Sequence, residues 1–120
     1  MSDERNYKIF LKDMLDSMEN IDHYLEGVDY EDFVEDQKTI DAVVRNIEII
    51  GEATKQIPEN IQKKYPEVPW KKMAKMRDKM IHGYFTISQD ILWETVKHDI
   101  PETKPLIEEL LEDLKEDQQS

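Results

Sequence analysis

No cysteine occurs among the 120 residues of the chain. Disulfide frameworks, thiolate metal sites and cysteine nucleophiles are therefore excluded. Glycine is scarce too, with three residues, and so charged and glycine-poor a composition favours helices over sheets. No apolar run approaches the roughly 20 residues that span a bilayer. The start, MSDERNYKIF, has no basic segment followed by an apolar one, so it does not read as a signal peptide. Positive charge is also in deficit. Sixteen Lys and Arg face 28 Asp and Glu, a net charge of −12, which repels phosphates and argues against indiscriminate nucleic-acid binding. These deficits point to an acidic, cytoplasmic protein that does not enter the membrane.

What is present is helical periodicity. The length fits one domain, residues 1–120, with a small core that self-association would help to complete. Tyr7, Leu11, Met14, Met18, Ile21 and Leu25 recur at three- and four-residue steps, with Tyr24 and Phe10 expected on the same apolar face, and Gly27 ends this first helix. A second long helix, capped by Asp29 or a neighbour, carries Phe33, Val34, Ile40, Val43, Val44, Ile47 and Ile50. Ile49 widens its stripe, so it is expected to bury more than one face. The two should form an antiparallel hairpin. Pro58 suits the start of a short helix, Pro66 and Pro69 bracket a connection, and PWKKMAKMRDKMIHG reads as a third long helix ending at Gly83. Ser88 is a candidate N-cap for the next segment. Pro101 or Pro105 is expected to restart a final helix, and residues 115–120 are expected to fray. The fold class is all-α, an up-and-down bundle of four or five helices.

Against the acidic background, residues 63–79 hold seven basic residues and two acids, Glu67 and Asp78, a local surplus of +5. That run leads into RDKMIHGY, residues 77–84. Arg77 lies among apolar positions, and a guanidinium there needs an anion or solvent. It fits a salt bridge to Glu48 or Glu52, or a site for an anionic ligand. His82 falls in the last helical turn, where the macrodipole favours the protonated ring. It fits a C-terminal cap, or a general acid or base. Five residues separate the two, about 140° around a straight helix. They converge only if the helix loosens at Gly83 or if a two-fold partner supplies its own pair, which is a reason to expect a homodimer. His23 and His98 stand apart from any ligand-like spacing, and no metal site is expected. The methionines, Trp70 and Trp93 read as packing residues.

RDKMIHGY resembles the R-x4-H-x-Y signature of HepT-like proteins in the HEPN superfamily, with Asp78 at a position where that superfamily favours a polar residue. RNIEIIGEATKQI (residues 45–57), YPEVPWKKMAKMR and ISQDILWETVKHDIPETKPLIEELL are similar to further segments of the family, so that the likeness covers roughly residues 7–114. The resemblance implies a helical bundle that dimerises through the motif helix and acts as a metal-independent, cofactor-free endoribonuclease toxin. It implies that Arg77 holds the scissile phosphate, that His82 is the acid or base, and that Asp78 orients the pair. The RNA's own 2′-OH would attack and leave a 2′,3′-cyclic phosphate. Tyr84 matches the position at which a minimal nucleotidyltransferase antitoxin attaches AMP. Lys75 and Lys79, from the basic run, and Glu52, as a lining of the same cleft, are candidates for substrate binding. The other reading is a non-catalytic helical dimer that binds nucleotide or a nucleotidyltransferase partner.

Overall fold

The structure is a computed structural model and describes residues 7–83 and 88–119. Among the described residues seven α-helices follow one another: α1 (Tyr7–Tyr24), α2 (Tyr30–Glu35), α3 (Gln37–Lys55), α4 (Glu59–Lys64), α5 (Trp70–Gly83), α6 (Gln89–Glu94) and α7 (Ile100–Gln119). No strand occurs among the described residues. Four long rods build the bundle: α1, α3, α5, and the continuous run from α6 into α7. No helix among the described residues is long and apolar enough to cross a membrane.

α1 forms as its periodicity dictates. Leu11, Met14, Met18 and Ile21 are wholly buried, and Tyr7 and Leu25 nearly so. Tyr24 departs from expectation and is exposed, one residue off the apolar stripe at the last turn. Gly27, at φ +72°, turns the chain out of the helix. An L side chain in that conformation costs about 1 kcal/mol. Gly27→Ala is therefore expected to lower the melting temperature by several degrees with no change at the site, a shift that differential scanning calorimetry reads directly.

The second helix is not one rod. Asp36 leaves the helical region (φ −108°, ψ 91°), and its carboxylate accepts from Thr39 N–H at 3.3 Å and from the Thr39 hydroxyl at 2.7 Å. That cap divides a short α2, itself capped by Asp29 accepting from Asp32 N–H at 2.8 Å, from the long α3. Apolar spacing could not signal the break, because Val34 and Ile40 lie on either side of a polar run. α3 packs against α1 on one side and α5 on the other, as its widened stripe implied.

Pro58 opens α4, and Pro66 and Pro69 bracket the turn into α5. Trp70 is buried and donates its indole N–H to the Tyr65 carbonyl at 3.0 Å. Met14, Met18 and Met80 fill the core, and Met73 and Met76 are half-buried. The α6–α7 run departs from the expected restart at proline. Ser88 caps α6 as anticipated. The chain then passes through a π-helical turn, Thr95–Asp99, in which Ile100 N–H bonds to the Thr95 carbonyl. This wider register sits immediately before Pro101, so the donor that Pro101 lacks falls where the bonding pattern already shifts. Pro105 is tolerated inside α7 because it and the carbonyl-bearing Pro101 both face water. The helical backbone continues to Gln119, past the point where fraying is expected.

Candidate active site

α3 and α5 meet along a stripe of α3 that carries Glu48, Gly51, Glu52 and Lys55, with Gly51 and Glu52 each three or four residues from Glu48 and from Lys55. The closest approach is at Gly51, which is buried. A Cβ there would stand 2.1 Å from Arg77 Cβ and 2.9 Å from the Met73 carbonyl oxygen. Only glycine admits α5 this near, and the approach sets Arg77 against the α3 carboxylates.

Arg77 donates from Nε and from Nη2 to Glu52 Oε2, each at 2.9 Å. Its Nη1 donates to Asp78 Oδ1 at 3.0 Å. The ion-pair partner is thus Glu52, and Glu48 lines the same groove one turn away. Asp78 also receives Lys55 Nζ at 2.5 Å. Glu52, Arg77, Asp78 and Lys55 therefore form one chain of alternating charge between two helices. The bond to Asp78, and then the proximity of Glu52, push the Arg77 guanidinium to hold its proton still more firmly. Lys55, and then Arg77, hold the Asp78 carboxyl below the ordinary carboxylate range.

That depression has a pH consequence. A carboxyl whose folded pKa lies below its unfolded value stabilises the fold above the unfolded value, and the contribution is lost as pH falls through the folded one. For Asp78 the window opens at the ordinary value of 3.8 and extends downward. Asp78→Asn is expected to melt below wild type at neutral pH. The two melting curves should converge in acid below that window, a trend followed by circular dichroism across a pH series.

His82 is exposed at the last turn of α5, and its Nδ1 lies 2.9 Å from the Asp78 carbonyl oxygen. A carbonyl only accepts, so Nδ1 carries the hydrogen of this bond and Nε2 takes no part in it. The contact is that of a helix-end cap, and it also fixes which nitrogen is available to exchange a proton. α5 stays helical through Gly83. Arg77 and His82 consequently remain about 140° apart on one helix. Arg77 opens into a groove of about 510 Å³ between α1, α3 and α5, edged by Phe10, Ile49 and Ile81. His82 is not among the residues lining that groove. Lys75 and Lys79 line a different groove, on the opposite side of α5. Tyr84 lies outside the described residues.

Gly51 and Lys55 were not singled out by sequence reasoning. A glycine interrupting an otherwise regular apolar helix was the available signal for Gly51. Lys55, one turn beyond Glu52, had none, because the register between α3 and α5 is not contained in either helix's periodicity. His23 and His98 behave as surface residues beside Glu26 and Glu94. Among the described residues no group of three or more His, Asp or Glu side chains is placed to hold a metal ion.

The comparison with known proteins gives the family: residues 14–110 match the model described as "Ribonuclease HepT-like", and the chain belongs to this HepT-like ribonuclease family. It is 46% identical over 107 residues to a Thermococcus cleftensis protein named "Probable ribonuclease HepT", covering 89% of this chain and 97% of that protein. It is 44% identical over 113 residues to a Methanocaldococcus jannaschii protein named "Putative RNase", covering 94% and 97% respectively. A Caldanaerobacter subterraneus protein of the same description is 42% identical over 103 residues, 86% of this chain and 92% of that one. No solved structure matches the chain.

Proposed function

We propose that the protein is a metal-independent endoribonuclease toxin working as a homodimer in the cytoplasm. The observation that carries this reading is the placement of Arg77 and His82. Each is held by its own partners, the guanidinium by Glu52 and Asp78 and the imidazole by the Asp78 carbonyl. Yet they diverge on one straight helix, so a complete site needs a second copy. Two α5 helices meeting about a two-fold axis bring two arginines and two histidines around one cleft.

In that cleft the Arg77 fork binds the scissile phosphate and stabilises its developing charge. His82 Nε2 takes the proton of the ribose 2′-OH. The 2′ oxygen attacks the adjacent phosphorus, the bond to the 5′ oxygen breaks, and a protonated imidazole supplies the leaving oxygen with its proton. The products are a 2′,3′-cyclic phosphate and a 5′-OH. Asp78 orients both groups through its side chain and its carbonyl. Tyr84 is the acceptor for AMP from a minimal nucleotidyltransferase antitoxin, and phosphate placed two residues from His82 silences the cleft by charge and bulk.

The competing reading, a non-catalytic dimer that binds nucleotide or a nucleotidyltransferase partner, draws on one observation. All three guanidinium nitrogens of Arg77 donate to carboxylates in the single chain. The attacking group separates the readings. An RNA with 2′-deoxyribose at its mapped cleavage position is expected to resist cutting there and to be cut at every other mapped position. Cleavage at the deoxy position would exclude the 2′-OH mechanism.

A further inference from the structure

Asp78 holds both members of the proposed catalytic pair. Its Oδ1 accepts from Arg77 Nη1 at 3.0 Å, and its backbone carbonyl accepts from His82 Nδ1 at 2.9 Å. Glu52 grips the guanidinium from the other side, at Nε and Nη2. Two fixed carboxylates, one on each side, set the plane in which the fork meets a phosphate. Glu52 is fixed by its place on α3. The Asp78 side chain is about half exposed, at 49%, and a half-exposed carboxylate changes rotamer unless something holds it. What holds it is Lys55, the last residue of α3, whose Nζ donates to the same Oδ1 at 2.5 Å.

A simpler role exists for Lys55. A lysine in the last turn of a helix is favoured by the macrodipole whatever it touches. Three observations go beyond that. Lys55 reaches across to another helix and its side chain is 37% exposed, whereas Lys63, in the last turn of α4, is 76% exposed and pairs with Glu59 of its own helix. Lys55 does more than Arg77 to keep the Asp78 carboxyl charged. It also stands one turn beyond Gly51, so the close approach that seats Arg77 against α3 brings Lys55 to Asp78 as well. Its ammonium is committed to Asp78 and is not placed as a phosphate ligand.

We infer that Lys55 is a positioning residue for RNA cleavage: it fixes the Asp78 carboxylate from the neighbouring helix and thereby sets the plane of the Arg77 guanidinium. The same contact ties the end of α5 that carries His82 to the end of α3. The inference rests on the ribonuclease reading and adds to it a residue outside the motif helix on which the rate depends. Without the ammonium, Asp78 loses its tie to α3 and follows the guanidinium instead of holding it. The fork then spends less time in the orientation that stabilises the reacting phosphate.

The test is a mutant cycle in steady-state kinetics on a defined RNA, with a melting curve for each protein: Lys55→Met, Asp78→Asn, the two together, and Lys55→Arg. Methionine keeps the length and helix propensity of the side chain and removes the ammonium. Lys55→Met is expected to lower kcat by about 10-fold, short of the 10²-fold that a displacement near 1 Å brings, with KM little changed. Lys55→Arg should recover most of that loss. In the Asp78→Asn background Lys55→Met should cost nothing further, because its route to the site is already cut. Lys55→Met should melt within a few degrees of wild type, since an exposed ion pair adds little to stability. Lys38→Met, at an exposed position in the first turn of α3, should cleave as wild type does. A loss equally large in the Asp78→Asn background overturns the inference, because Lys55 would then act by another route. So does a raised KM with kcat intact, which would make Lys55 a direct substrate contact. An unchanged kcat overturns it too and leaves Lys55 as a last-turn lysine. Wild type that cuts no RNA would instead overturn the ribonuclease reading, and the inference with it.

Discussion

His82→Ala is expected to lower RNA cleavage by about 10²–10⁴-fold, the range for loss of a positioned acid–base group, without unfolding the protein. The ring is exposed, and its one described bond is to the Asp78 carbonyl at the end of a helix. Its removal takes nothing from the core, and thermal melts should differ by no more than a few degrees. Arg77→Ala should lose cleavage to a similar degree for a different reason, the absence of a fork that can grip two phosphate oxygens. Arg77→Lys should not restore it, because an ammonium presents a point charge where two parallel donors are needed. Kinetics with a defined RNA, run beside the melts, separate lost chemistry from lost structure. Full activity in either alanine variant would show that the chemistry lies elsewhere.

The second large effect is expected at a residue that touches no substrate. Gly51→Ala adds a single methyl group 2.1 Å from Arg77 Cβ. Taken alone, alanine should improve an interior helix position by about 1 kcal/mol. Here the obstructing atom is fixed to the α5 backbone, and the Met73 carbonyl is 2.9 Å away, so neither can swing aside. α5 must withdraw from α3, a repacking that costs roughly 1–3 kcal/mol or more. The collision should outweigh the propensity gain, and the melting temperature should fall by several degrees. Activity should fall further, by about 10²-fold, because a displacement near 1 Å at a positioning group has that effect. A Gly51→Ala protein that is more stable and fully active would mean that α3 and α5 do not approach as described.

The fold was readable where burial follows local periodicity. α1 and α5 appear where their apolar residues repeat, and Gly27, Asp29, Pro58 and Ser88 act at their helix ends as their chemistry dictates. It was less readable where a side chain competes with the helix or the bonding register changes. Asp36 divides the segment inside the polar run between Val34 and Ile40, where apolar spacing marks neither a helix nor its end. The π-helical turn at Thr95–Asp99 carries the chain across Pro101, where proline would ordinarily force a restart. The site was legible in its motif helix, since Arg77, Asp78 and His82 fall together in one short stretch, and Glu52 was among the foreseen partners of the arginine. What joins them was not. Lys55 reaches Asp78, and Gly51 sets the helix spacing, only once α3 and α5 are docked in a particular register. Lys75 and Lys79 share a helix with Arg77 but face the other way, a separation that 200° of helical rotation imposes.

The most direct test is digestion of total cellular RNA in EDTA by wild type and by His82→Ala, after intact-mass measurement confirms that Tyr84 is unmodified. The expected result is fragments with 2′,3′-cyclic phosphate ends from wild type and intact RNA from the variant. Equal cleavage by both proteins, or none by clean dimeric wild type across tRNA and mRNA, would contradict a ribonuclease site built on Arg77 and His82.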